Sequence, residues 1–377
     1  MGARVGFKCK LYIAPAPWIS DPAWNPVNRV KDAEVSMEDG EADASDRGTG
    51  NYEATLSTLR KLEYSLKITH DPNDTRYQEI RDAFVNRTDL NVLGLSGDIL
   101  DSGSEEQRAR WLPGIADGSR IGTLALVESN DVLAPSGVAL LGKPDGDAFV
   151  LTGTKSFVAD AGAANLFVVA FRTGPGAEDL TLAVVDGGAP GVSAKSFPTM
   201  DQTKRVGTLV LDGARVPKSA LLGAPGRAWP AIERLFDRGA IATTGEMIGA
   251  AEGALALTVQ YAKDRIQFGN PIGKYQGVKH PLAEMYVDIE STKSLLYYAA
   301  WALDESPREV PRSASLAKAY ASDAFARIGI DGVQLHGAVG YTAEYDIQLF
   351  LKRSKWARPT FGDSDFHYER VATLGGL

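Results

Sequence analysis

The chain has 377 residues, of which 44% are hydrophobic and 23% charged, and its formal net charge is -8. This composition is typical of a globular protein with a large apolar core and two or three domains. The acidic balance without a basic tract argues against a nucleic-acid partner. Cys9 is the single cysteine and the four histidines lack metal-ligand spacing, so neither an intrachain disulfide nor a metal site is predicted.

The sequence also bears on the compartment of the protein. No run approaches the roughly 18 apolar residues that cross a bilayer. The basic segment 1–18 is too interrupted by proline for an export signal. We therefore expect a cytoplasmic protein without a membrane span.

Residues 1–118 are predicted to form a helical N-terminal region, of which residues 1–90 are partly loop. The acidic stretch Lys31–Asp46 has few large apolar residues, which is typical of an exposed loop. Leucines at helical spacing in Ala54–Ile68 favour an amphipathic helix, and Arg76–Phe84 favours another.

A third N-terminal helix is predicted from a capping pattern. Ser104 is followed by two glutamates, which suit the first turn of a helix, and the helix is expected to run to Pro113.

The hydrophobic period changes to two after residue 118. Five segments, separated by glycine-rich and proline-rich turns, are predicted as strands: Thr123–Glu128, Ala148–Phe157, Leu166–Arg172, Leu180–Val185 and Thr208–Leu211. They predict a small antiparallel β-domain over residues 119–224.

From Trp229 onward the period is helical again, which predicts a helical bundle over residues 225–377. Gly269, Pro271 and Gly273 interrupt the pattern and indicate a turn between two long helices. The predicted fold class is therefore α+β, with N-terminal helices, a central antiparallel β-domain and a C-terminal helical bundle.

The turn between the two long helices carries Arg265, Gln267 and Phe268. A guanidinium fork suits the paired oxygens of a diphosphate, and an exposed ring can stack on a planar base. The alternative is that Arg265 only stabilises the helix C-terminus and Phe268 is ordinary packing.

The segment YAKDRIQFGNPIGKYQGVKHPLAEM, residues 261–285, resembles the C-terminal helical domain of the acyl-CoA dehydrogenase family, flavoenzymes that desaturate acyl-CoA thioesters. A second segment, QLHGAVGYT, fits the family pattern QxxGGxG, with Ala338 in place of one glycine. The resemblance covers the chain from Asn91 onward. It implies a central antiparallel β-barrel, a four-helix bundle and an FAD bound mostly by a neighbouring subunit. The residues that it implies contact that FAD are Arg265, Gln267, Phe268, Gln334, Gly337 and Gly340.

The resemblance also identifies the half of the site that would hold this subunit's own flavin. Leu126 and Val127 stand where the family has a residue pair ending in a flavin-contacting threonine. Phe157 replaces the tryptophan of a W-I-T motif beside the ring, and Ala159 replaces its threonine. Leu126, Val127 and Phe157 are therefore implied flavin contacts, but Ala159 has no hydroxyl to offer.

Desaturation of an acyl-CoA requires a base for the α-proton, and a carboxylate in a dry pocket has the raised pKa that this demands. The two positions where the family carries its catalytic glutamate align with Phe361 and Gly239, neither of which can accept a proton. Asp237 and Arg238 stand where the family contacts the CoA moiety.

The residues that would contact a neighbouring subunit's FAD are intact, whereas those that would hold this subunit's own FAD are altered. In this respect the chain resembles hetero-tetrameric members of the family, including bacterial enzymes of sterol side-chain degradation. Our leading hypothesis is a partner subunit of a paralogous catalytic chain in fatty acid or sterol side-chain metabolism, with an acyl-CoA thioester as substrate. A homomeric tetramer is the alternative.

Two other hypotheses remain open. A homo-oligomeric flavoenzyme could use a relocated base, or chemistry repurposed for a specialised pathway; the candidates are Glu246, two helical turns after Gly239, and Asp363, just beyond Phe361. The structural alternatives are a helix-surface or interface carboxylate for Glu246 and the N-cap of the last helix for Asp363. A non-redox scaffold is the third hypothesis.

Overall fold

The computed structural model describes residues 12–13, 25–26, 30–38, 61–68, 99, 102–176 and 178–376. The chain divides into two compact units, residues 1–88 and 89–377. Within the described residues, no helix is both long and apolar enough to cross a membrane.

The described part of the first unit contains strands. β1 (Tyr12–Ile13) pairs antiparallel with β2 (Asn25–Pro26), and β3 (Val30–Glu38) pairs antiparallel with β4 (Lys61–Ile68). Two predictions are therefore wrong: residues 61–68 are not helical, and residues 31–38 are not a loop. The predicted helix Arg76–Phe84 lies outside the described residues.

In both segments the prediction overlooked an alternation of apolar and polar residues. Leu62 and Leu66 are four residues apart, a spacing that fits a helical face and also a period of two. Tyr64 between them completes the alternation that strand pairing uses. In β3, Val35 and Met37 alternate with polar residues, but the high overall charge obscured that pattern.

The second unit begins with the predicted helix. α1 (Glu105–Ala116) starts at the N-cap Ser104, whose side chain accepts from the Gln107 N–H, while the Gln107 side chain accepts from the Ser104 N–H at 2.9 Å. The Gln107 amide also donates to the carbonyls of Ser219 and Leu221 at 2.7 and 2.8 Å. The capping prediction is confirmed, and the cap also fixes the helix to the end of the β-domain.

The β-domain consists of two four-stranded sheets. Its strands are β5 (Gly122–Ala125), β6 (Gly142–Asp145), β7 (Ala148–Ala159), β8 (Leu166–Arg172), β9 (Leu180–Asp186), β10 (Val192–Phe197), β11 (Val206–Pro217) and β12 (Leu221–Leu222). The strand orders are β10-β11-β7-β6 and β12-β9-β8-β5. The five predicted strands are present.

One feature of the sheets differs from the prediction, since β5 and β8 are parallel. The chain passes through β6 and β7 of the other sheet between them, and such a long crossover is what a parallel pair requires. Every residue of β9 from Leu180 to Val185 is buried. The core around these strands also includes Trp111 of α1 and Phe236 of the following helix.

The C-terminal region has five helices in its described part, where four were predicted. They are α2 (Trp229–Asp264), α3 (Gln276–Glu305), α4 (Val310–His336), α5 (Ile347–Ala357) and α6 (Ser364–Leu374). α4 contacts the other four, and its buried alanines permit close approach. A Cβ on Gly329 would lie 2.9 Å from the Leu351 Cα, so α5 packs directly on the α4 backbone. The predicted boundaries at residues 118 and 224 stay predictions.

Candidate functional site

The turn between α2 and α3 is a small β-hairpin. Ile266 and Gln267 (β13) pair with Asn270 and Pro271 (β14). The two residues between the strands have positive φ, 50° for Phe268 and 75° for Gly269, as in a type I′ turn.

Phe268 is an unusual residue at the tip of this hairpin. A bulky side chain in the left-handed region is strained, and such strain is often found at functional sites. The ring is 91% exposed, and it has an edge-on contact with Tyr275 at a centroid distance of 6.3 Å. Core packing therefore does not explain Phe268, which favours its predicted role as a stacking platform.

Arg265 is the C-cap residue of α2, and its backbone N–H donates to the Tyr261 carbonyl at 2.8 Å. Its side chain and that of Gln267 are exposed. The backbone of Arg265 thus ends the helix, and its exposed side chain stays available for either of the two predicted roles.

The second predicted element follows the end of α4. Gln334 is exposed, and Gly337 has φ 65° and ψ −143°, a conformation that only glycine adopts readily. A Cβ on Gly340 would lie 2.6 Å from the Val333 carbonyl oxygen. Ala338 is exposed with an ordinary φ, so the missing family glycine is not required by the backbone.

Aromatic contacts bring the two elements together. Tyr261 of α2 stacks on His336 of α4 with ring centroids 4.4 Å apart, and Tyr345 meets both rings edge-on. Burial lowers the pKa of His336, and Nδ1 of the neutral ring donates to the Gly332 carbonyl at 2.7 Å. Sequence reasoning missed this cluster, although Tyr261 and His336 lie within the two motif segments. We refer to the exposed residues at this end of the helical region as the hairpin surface: Arg265, Gln267, Phe268, Gln334 and Gly337.

The segment predicted to hold the chain's own flavin is occupied by internal contacts. The Glu128 carboxylate accepts from the Leu140 N–H at 3.0 Å and from Lys155 Nζ at 2.7 Å. Lys155 is fully buried, and burial lowers its pKa to about 8 against the opposing effect of Glu128. Leu126 is buried in the core, and the Val127 carbonyl accepts from the Ser156 N–H at 2.8 Å.

Phe157 is the predicted flavin contact in this segment that remains well exposed. Its side chain is 58% exposed, its φ is 53°, and its ring meets Phe197 edge-on at 6.5 Å. The Ala159 carbonyl accepts from the Thr123 hydroxyl at 2.7 Å. An aromatic face is available here, but position 159 contributes no side-chain donor.

The two positions aligned with the family's catalytic glutamate are in direct contact. A Cβ on Gly239 of α2 would lie only 2.6 Å from ring atoms of Phe361, which also meets Phe236 edge-on at 6.3 Å. Residues far apart in sequence therefore converge on one place, and a phenyl ring fills it. Neither position supplies a proton acceptor.

The two predicted substrate contacts have different surroundings. Asp237 is only 4% exposed and forms an ion pair with Nη1 of Arg370 on α6. Burial raises the pKa of Asp237, and Arg370 opposes that rise. Arg238 is exposed. The Asp237 carboxylate is thus already bound within the chain.

Both candidate bases also have partners. Glu246 on α2 forms ion pairs with Arg353 and with Lys204, the latter at 3.3 Å. Asp363 is the N-cap of α6, and its Oδ1 accepts from the Phe366 N–H at 2.9 Å. Asp363 thus has the N-cap role of its structural alternative, whereas Glu246 is only 16% exposed and is not a carboxylate on the open helix surface. Among the described residues, no group of His, Cys, Asp and Glu side chains could hold a metal ion.

Comparisons with known proteins agree on one family. The family model described as acyl-CoA dehydrogenase, middle domain, matches residues 128–213, and the model described as acyl-CoA dehydrogenase, C-terminal domain, matches residues 226–374.

Individual relatives give the same result. An acyl-CoA dehydrogenase of Bacillus subtilis is 31% identical over 68% of this chain and 69% of its own length. A short-chain specific acyl-CoA dehydrogenase of Megasphaera elsdenii is 31% identical over 67% of each chain. The solved structure of butyryl-CoA dehydrogenase from Megasphaera elsdenii has a TM-score of 0.73 and 28% identity, and the match covers 76% of each chain.

Proposed function

Because this chain belongs to the acyl-CoA dehydrogenase family, we propose that it serves as an FAD-dependent partner subunit in the α,β-desaturation of an acyl-CoA thioester. In this role it joins a paralogous chain in a tetramer and completes the FAD site of that chain. The paralogous chain supplies the catalytic base. The acyl group belongs to fatty acid or sterol side-chain metabolism.

The contact between Phe361 and Gly239 carries this proposal. It fills the location of the base with a phenyl ring, and a ring of this kind cannot take the α-proton. Bound FAD supplies the acceptor for the β-hydrogen as hydride. A chain without a base therefore contributes by binding, not by proton transfer.

The hairpin surface supports the binding role because its side chains fit a dinucleotide. The Arg265 guanidinium can bind two diphosphate oxygens through parallel N–H donors. The exposed Phe268 ring offers a face to a planar base. The space in front of Gly337 is open for a ligand, since a Cβ there would meet nothing within 4 Å. By contrast, this chain's own half-site lacks a hydroxyl at Ala159.

A relocated base within a homo-oligomer has less support. Glu246 forms ion pairs with Lys204 and Arg353, and Asp363 caps the N-terminus of α6. Either carboxylate would have to leave these partners before it could accept a proton. A non-redox scaffold also has less support, because it gives no reason for a strained, exposed Phe268.

The visible spectrum of the purified full chain tests the proposal. We expect substoichiometric FAD and no bleaching when butyryl-CoA is added, because the residues at positions 239 and 361 cannot remove a proton. Co-purification with the tagged chain from its native host should recover a paralogous subunit together with FAD. Stoichiometric FAD in the isolated chain, bleached by butyryl-CoA, would contradict the proposed function.

Arg265→Ala tests the hairpin surface in the co-purified assembly. We expect the affinity for FAD to fall about 10- to 100-fold, because a hydrogen bond to a charged group contributes about 1.5–3 kcal/mol. Fluorescence titration of the deflavinated assembly measures the change. Lys263→Ala is the matched control, since Lys263 is an exposed cation in the last turn of the same helix. Equal losses in the two variants would indicate nonspecific electrostatics.

A further inference from the structure

We infer that Phe361 is a plug that closes this chain's own acyl site to a thioester, and that Lys318 and His367 are positioning residues that hold the plug in place. This inference rests on the proposed function, which places the family's base position at Gly239 and Phe361. It adds that the site has lost its space for substrate as well as its base.

The plug lies directly on the backbone of α2. Measured from an ideal Cβ on Gly239, the Cδ1, Cε1 and Cγ atoms of Phe361 are 2.6, 2.6 and 2.7 Å away. A side chain of any size at position 239 would displace the ring. An acyl chain needs carbon–carbon separations of about 4 Å on each side, so it cannot pass between the ring and the helix.

The half-buried ring also has apolar neighbours besides Gly239. Phe236 lies one helical turn before Gly239 and meets Phe361 edge-on, and Phe361 also packs against the core of the β-domain. Asp237 is held by Arg370 from α6. Asp237, which stands where the family contacts the CoA moiety, is therefore already bound to α6, the helix that follows Phe361.

The backbone of the plug requires support from other elements. Phe361 has φ 57° and Gly362 has φ 97°, and a bulky residue keeps a left-handed conformation only where its surroundings impose it. This region therefore has a conformational cost that specific contacts must offset.

Lys318 supplies two of those contacts from α4. It is fully buried, and its Nζ donates to the carbonyls of Arg358 and Gly362, both at 2.8 Å, and to the Ser322 hydroxyl at 3.1 Å. Burial lowers the pKa of Lys318 to about 7, and in its ammonium form all three protons are used. Two of the acceptors lie on either side of Phe361 in the chain, so Lys318 fixes both ends of the segment that carries the ring.

His367 fixes the plug residue itself. It is fully buried on α6, and its Nε2 donates to the Phe361 carbonyl at 2.9 Å. Helices α4 and α6 thus hold the segment through three carbonyls, those of Arg358, Phe361 and Gly362. The Phe361 ring packs on Gly239 of α2. No motif in the sequence indicated this arrangement.

Calorimetric titration of the full chain with butyryl-CoA in the presence of FAD tests the plug. The wild-type chain should give no saturable binding. Phe361→Ala should gain saturable binding, at least about tenfold tighter than any residual wild-type signal. Phe361→Asn repeats the test with a small residue that tolerates the left-handed conformation. Phe350→Ala is the matched control and should give no gain in binding, because its half-buried ring packs on Gly253 of the same helix and not on Gly239.

Lys318→Met tests the positioning role in the same titration. It keeps the length of the side chain but removes the ammonium donors, so the plug should loosen and weak butyryl-CoA binding should appear. A purely structural lysine would lower stability without creating a binding site. Circular dichroism confirms that each variant is folded.

The outcomes separate this inference from the proposed function. Butyryl-CoA binding to the wild-type chain without flavin bleaching would overturn the plug and leave the partner-subunit role intact. No gain in either Phe361 variant would also overturn the plug, and a gain in these variants but not in Lys318→Met would overturn the role of Lys318. Bleaching of FAD by the wild-type chain would instead overturn the proposed function.

Discussion

Arg353→Met is expected to lower the free energy of unfolding by about 3 kcal/mol, at the low end of the range for breaking a buried ion pair. Arg353 on α5 donates through Nε to Asp201 Oδ2 at 2.7 Å and forms an ion pair with Glu246 on α2. Asp201 is only 1% exposed. Loss of the guanidinium would leave its carboxylate buried without a cation.

The expected loss of stability is at the low end of the range because both carboxylates keep other partners when Arg353 is replaced. Asp201 keeps hydrogen bonds from the backbone and hydroxyl of Thr203, and Glu246 keeps Lys204 at 3.3 Å. These contacts offset part of the cost of the unpaired charge. The variant also removes a connection between the β10–β11 loop and two helices, so we expect the whole second unit to be affected.

Arg215→Met is the matched control for this experiment. Arg215 also binds two carboxylates, those of Asp145 and Asp147, but its side chain is 53% exposed. An exposed arginine of this kind contributes at most about 1 kcal/mol. Urea denaturation of both variants measures the difference. Similar losses would contradict a buried role for Arg353 and, with it, the structural role of Glu246.

Local patterns in the sequence were sufficient for most of the second unit. Ser104 and its following glutamates predicted the start of α1 because a capping box involves only neighbouring residues. The long helices on either side of Phe268 were predicted because their apolar period is sustained over many turns. These features depend on short separations along the chain, which is why they can be predicted without coordinates.

The remaining features depend on tertiary contacts. The spacing of Leu62 and Leu66 fits both a helix and a strand, so the pairing of β3 with β4 could not be inferred from it. Phe361 and Gly239 could be aligned with the family's base positions, but their contact required the folded chain. Lys318 showed no local signal because its acceptors are carbonyls about forty residues away, and every residue type has a carbonyl.

A fall in pH from about 7 to about 4 is expected to remove about 3 kcal/mol of stability through His367 alone. Burial, assisted by the charge of Lys318, lowers the pKa of His367 from 6.5 to about 4. Between pH 6.5 and about pH 4, His367 is protonated in the unfolded chain but neutral in the folded chain. The free energy of unfolding therefore falls as the pH decreases. The difference corresponds to about 1.4 kcal/mol for each pH unit in this window.

The hydrogen bonds of His367 also indicate that its pKa is lowered in the folded chain. Its Nε2 donates to the Phe361 carbonyl, and its Nδ1 is buried without a hydrogen-bond partner in the part of the chain that the structure describes. A proton on Nδ1 would therefore place a charge and an unsatisfied donor in the interior. The neutral ring is the form that this site accommodates.

His367→Gln isolates this effect, because the glutamine amide can keep a donor toward the Phe361 carbonyl but does not titrate. We expect the variant to lose about 3 kcal/mol less than the wild-type chain between pH 7 and pH 4, as measured by urea unfolding at each pH. His280→Gln, at an exposed histidine of α3, should leave the wild-type pH dependence unchanged. If His367→Gln instead retains the full acid-induced loss, then protonation of other groups governs acid unfolding. Because His367 holds the plug by its neutral form, such a result would also mean that acid does not act on the segment around Phe361.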